Sequence, residues 1–117
     1  MNDSAILLSD TEKAVLSAVQ RIINGKYFAS ECYLYGSRAG GAAKTKPYQK
    51  KAGRKIVELK ESDYDVCVLL RSRGSVLRTD PEINALINRE TGANVNVVFC
   101  AEKNEWTKVS FNDLNLF

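Results

Sequence analysis

Asp63 and Asp65 stand one residue apart at the head of the most apolar run of the chain, in the stretch ESDYDVCVLL. Side chains on a strand alternate between faces, so these two carboxylates are expected on one side and Tyr64 and Val66 on the other. Two convergent carboxylates repel each other. A hard divalent cation, Mg2+ or Mn2+, relieves that repulsion and keeps coordination positions open for phosphate. A second stretch, LYGSRAGG, closes another apolar run with Gly36 and Ser37. Glycine permits close backbone approach, and a helix starting after it would turn free amides and a positive dipole end toward an anion. Gly36 and Ser37 are therefore expected to bind phosphate, Ser37 through its hydroxyl, with Arg38 adding charge where it faces the site. The two halves together describe a metal-nucleotide site.

The elements that must position these residues can be read from pattern. Ser9 followed by Glu12 forms a capping box, and Ala14, Val15, Ala18, Val19, Ile22 and Ile23 share one helical face, with a stop expected at Asn24-Gly25. CYLY, ending at Tyr35, reads as a strand, and 37–43 as the opening of a short helix. YDVCVLL reads as a central strand covered on both faces. TDPE, from Thr79 to Glu82, supplies a second capping box with Pro81 in the first turn, before a helix that ends at Gly92. NVNVVFC reads as another strand, and Trp106, Val109 and Phe111 are expected to pack on the sheet. The expected fold is α+β, one domain over 1–117, with a small mixed sheet packed against two or three helices.

Composition narrows the chemistry. The chain has 117 residues, 44% hydrophobic and 26% charged, as suits a single globular core. No apolar run is long enough to span a bilayer, and the first residues lack the pattern of a secretory signal, so a cytoplasmic location is expected. Histidine is absent, which leaves carboxylates, hydroxyls, amides and cations to do any chemistry. Cys32, Cys67 and Cys100 form no CxxC pair and read as buried reduced thiols. The net charge of +3 is uneven, because 44–60 carries seven cations against Glu58 alone. This segment is expected to be an extended loop or a hairpin arm. Lys50, Lys51, Arg54 and Lys55 are its candidate nucleic-acid contacts, with Tyr48 available to stack on a base.

In its order of elements, a helix, a strand ending in Gly36-Ser37, and a strand headed by Asp63 and Asp65, the chain resembles the nucleotidyltransferase superfamily. That superfamily is typified by DNA polymerase β, the antibiotic nucleotidyltransferases and the minimal nucleotidyltransferases of toxin-antitoxin operons. The resemblance covers 11–99. It implies the nucleotidyltransferase fold, an NTP substrate with ATP foremost, Mg2+ or Mn2+ on Asp63 and Asp65, and in-line transfer of a nucleotide to a hydroxyl with release of pyrophosphate. It also implies a protein partner or homodimer completing so small a domain, in the toxin-antitoxin setting a toxin.

Two positions depart from the superfamily pattern. Where it places a third carboxylate on the next strand, this chain has Asn96, whose amide carries no charge and accepts no proton. Catalysis is expected to be impaired there. A slow or inactive relative, a different base, and a substitution made to trap a substrate all account for an asparagine. The spacer of 25 residues between Ser37 and Asp63 also exceeds the family's usual length, and the basic insertion 44–60 fills it. Two alternatives stand beside the enzyme: a non-catalytic nucleotide- or partner-binding module, antitoxin-like or a phage-type inhibitor, and a nucleic-acid binder acting through the basic arm.

Overall fold

The computed structural model describes residues 8–28, 30–39, 48–59, 63–70 and 78–116. Helix α1 (Asp10–Lys26) starts as its sequence predicts: the Ser9 hydroxyl accepts from the Glu12 amide and the Glu12 carboxylate accepts from the Ser9 amide. It does not stop at Asn24-Gly25. Tertiary contacts carry it one residue further, since Asp80 accepts from Lys26 Nζ at 2.7 Å and from the Tyr27 hydroxyl, and the Tyr27 ring packs on Phe99 at 4.7 Å.

A four-stranded sheet in the order β5-β4-β1-β6 comprises β1 (Glu31–Tyr35), β4 (Tyr64–Leu69), β5 (Val95–Cys100) and β6 (Val109–Ser110). β1 runs antiparallel to β4 and β6, whereas β4 and β5 are parallel and need a crossover, which α2 (Pro81–Thr91) provides. The start of α2 is one residue later than TDPE suggests. Asp80, rather than Thr79, caps it by accepting from Ile83 N at 3.1 Å, with Pro81 in the first turn and Gly92 closing it at φ 65°.

Both helices cover one face of the sheet. Leu16, Val19 and Ile23 of α1 and Ile83 and Ile87 of α2 pack with Leu34, Val66, Val68, Val95 and Val97, closed below by Phe111 and Leu114 of the tail. The opposite face carries a smaller cluster of Tyr33, Cys67, Leu69 and Cys100, with Tyr35, Val98 and Trp106 around it. β4 is thus covered on both sides. All three thiols are buried and free, and burial pushes the Cys32 thiol up to about 12.

β5 would offer an open edge, but α2 and a bridge block it. Asn88 and Asn84, one helical turn apart, accept from the amides of Val95 at 2.6 Å and Val97 at 3.0 Å, and Arg78 exchanges two backbone hydrogen bonds with Phe99. The basic insertion contains a separate two-stranded sheet, β2 (Tyr48–Ala52) and β3 (Lys55–Leu59), joined by a two-residue turn in which Gly53 takes φ 65°. Among the described residues no helix is long and apolar enough to cross a membrane.

Candidate functional site

The face of the sheet away from the helices holds the polar residues singled out in the sequence. Register aligns Tyr35, Asp65 and Asn96 as neighbours across β1, β4 and β5, so one row of the sheet presents a phenol, a carboxylate and an amide together. Asp63, just before β4, shares the face of Asp65 by strand alternation.

Around these carboxylates the hydrogen bonds come from amides. Asn94 Nδ2 donates to Asp63 Oδ1 at 2.6 Å, and Asn96 Nδ2 donates to Asp63 Oδ2 at 3.3 Å while also hydrogen-bonding Asp65. The Asn96 amide therefore bridges the two acids. Burial holds the Asp65 carboxyl above its usual range and the Asp63 charge adds to that, against the opposing Asn96 hydrogen bond. Burial, and then the Asp65 charge, also raise the Tyr35 phenol, which stays a proton donor.

The two stretches of sequence meet at Gly36. Its φ of 77° lies in the left-handed region, and a β-carbon built there would sit 2.3 Å from Asp65 Oδ2, so only glycine lets the turn pass over the carboxylate. Ser37 follows in the same turn, closed by Ala39 N on Gly36 O at 3.1 Å. Residues 37–39 form a turn rather than a helix, and 40–43 of the short helix expected over 37–43 lie outside the described residues.

Arg38 is turned the other way. Its guanidinium pairs with Glu12 at 2.8 Å and lies over the Tyr64 ring, 3.8 Å from its centre, on the helix-covered side of the sheet. The charge expected beside the phosphate is instead buried against α1. Burial pushes the Glu12 carboxyl up, but the Ser9 amide and Arg38 outweigh it and hold the group below its ordinary value.

Of the four candidate nucleic-acid contacts, Lys51, Arg54 and Lys55 are exposed on the hairpin, and Lys50 lies in β2 opposite Val57. Two features on this side of the sheet carry no obvious sequence signal. Tyr35 stacks on Trp106 with ring centres 5.0 Å apart and planes within 10°, across seventy residues of chain. Cys67 and Cys100 bring their sulfurs to 3.2 Å across β4 and β5.

Asp63 and Asp65 offer carboxylate oxygens, which suit a hard cation, and the pressed, half-buried Asp65 is a group that a cation would relieve, while Asn96 faces them with its amide nitrogen. Among the described residues no cluster of three or more carboxylate, thiol or imidazole groups forms, so two acids and an amide are what a metal would meet there. No protein-family model matches the chain, and no characterised protein or solved structure shows significant similarity to it.

Proposed function

We propose that the open sheet face binds a metal-complexed nucleoside triphosphate in a nucleotidyltransferase-like site, and that transfer of the nucleotide to a hydroxyl is slow. The observation carrying this reading is the close approach of Asp65 to the Gly36 turn, which supports a carboxylate-held metal beside a turn that would receive the phosphates. Asp63 and Asp65 would hold Mg2+ or Mn2+, with the Asn96 amide turned to offer its oxygen as a neutral third donor. A bound ion supplies neutralisation of the triphosphate charge.

The chain's own groups divide the remaining work. The Gly36 backbone and the Ser37 hydroxyl orient the phosphates, while Arg38, committed to Glu12, is left out. Nothing at position 96 accepts the proton of an attacking hydroxyl, so the superfamily's usual route to an activated acceptor is missing. A homodimer or a protein partner is the proposed source of the surface that closes over the base.

The amide bridge over both acids favours a second reading, a non-catalytic module that binds nucleotide or a protein partner without turnover. Titration of Mg-ATP in a calorimeter, together with labelled ATP in the presence of Mg2+ or Mn2+, separates the two. Binding that disappears in Asp65→Ala supports the site, and pyrophosphate release supports the enzyme. Binding without release supports the module, and the absence of any binding heat in the unaltered protein sinks both.

A further inference from the structure

The connection between the Gly36 turn and Asp63 contains the β2-β3 hairpin. In the β2-β3 hairpin Lys51 stands opposite Ile56, and Ala52 opposite Lys55. Neighbouring positions on a strand face opposite ways, so Lys51 and Lys55 project from opposite faces of the ribbon, with Arg54 at the turn between them. All three are exposed, and no ion pair among the described residues engages them. Beside Lys51, Ile56 is 68% exposed, unusual for an aliphatic side chain with no core to join. The sequence adds Lys50 within the hairpin and Lys44, Lys46 and Lys60 around it.

A free two-stranded ribbon is marginally stable in water, and one loaded with like charges is less so. A flat anionic surface would engage one face of such a ribbon and leave the other unpaired. A duplex groove differs, because phosphates line both of its walls. The B-form major groove, about 12 Å wide, admits a two-stranded ribbon, whereas the A-form major groove is too narrow to enter. We propose that the hairpin 48–59 inserts into the major groove of double-stranded DNA, with the face that carries Lys51 and Ile56 toward the groove floor and Arg54 and Lys55, at the turn and on the opposite face, reaching the phosphate walls. The hairpin site stands independently of the nucleotide site.

The test is anisotropy of a labelled duplex of about twenty base pairs, titrated with the full chain between about 50 and 200 mM salt. Affinity should fall steeply with salt. The variant Lys51→Gln/Arg54→Gln/Lys55→Gln, checked for folding by circular dichroism, should bind more weakly and flatten the log-log salt slope by about 2.7, with Mg-ATP heat unchanged. Ile56→Ser should weaken binding roughly tenfold at an unchanged slope. The proposal is overturned by salt-independent binding, by the triple variant binding like the unaltered protein, or by Ile56→Ser having no effect. Equal or tighter binding to a single strand, to duplex RNA, or to vesicles of mixed phosphatidylcholine and phosphatidylserine overturns it as well.

Discussion

The Asp65 carboxylate lies against the backbone of Gly36 so closely that no larger residue fits between them. Gly36→Ala therefore has two separable effects. The left-handed φ costs about 1–2 kcal/mol of stability, read from a urea midpoint. The new methyl also pushes Oδ2 aside, so Mg-ATP binding is expected to fall far more than the lost stability accounts for.

Asn96→Asp converts the amide bridge into a third acid in register with Asp65. Without metal the three charges repel, and the melting temperature in EDTA should drop below that of the unaltered protein. Added Mn2+ should reverse the order, giving a larger metal-dependent rise in Tm than the native asparagine allows. Pyrophosphate release, if restored, would appear in the same variant.

Arg38 and Glu12 form a buried pair, with the Arg38 side chain only 2% exposed. Removing one partner leaves a desolvated charge, so Arg38→Met is expected to cost about 3–5 kcal/mol, and Glu12→Gln/Arg38→Met together less than the sum of the two single changes. A double-mutant cycle in urea checks this.

Asp80 ties the end of α1 to the start of α2. Its hydrogen bonds from Lys26 and Tyr27 hold its carboxyl at about 2, below the ordinary 3.8. A folded-state value that is depressed stabilises the protein above the unfolded value, so this contribution is complete above about pH 4 and is lost as pH falls toward 2. Asp80→Asn keeps a capping oxygen but removes the charge. Its stability deficit, measured by urea unfolding, should shrink on going from about pH 5 to about pH 3.

Asn84 and Asn88 shield the open edge of β5. Asn84→Ala strands the Val97 amide, at a cost of about 1–3 kcal/mol, and should promote self-association, measured by light scattering.

Strong local patterns made much of this molecule legible. The capping box at Ser9, the Pro81 and Gly92 bounds of α2, and the unbroken apolar run after Asp63 each encode their element within a few neighbouring residues. What stayed hidden depends on distant pairing. The last turn of α1 survives Gly25 through Asp80, fifty-four positions beyond Lys26. Arg38 looked like a phosphate ligand by proximity to Ser37, yet Glu12, twenty-six positions away, claims it. The hairpin lacks apolar alternation, so its strands were no clearer than a loop, and β6 has only two residues from which to be recognised. Within the candidate site, parity alone put the two acids on one face, whereas the Tyr35-Trp106 stack required the fold.

Tyr35 and Asp65 are direct cross-strand neighbours, so the chain leaves the sheet and re-enters it at almost the same point. The hairpin 48–59 spliced between those anchors is an appendage to the sheet, whereas Arg38 and Tyr64, at the two roots of the excursion, belong to the packed body. Core and appendage can consequently diverge at different rates, one constrained by packing and the other by whatever it grips.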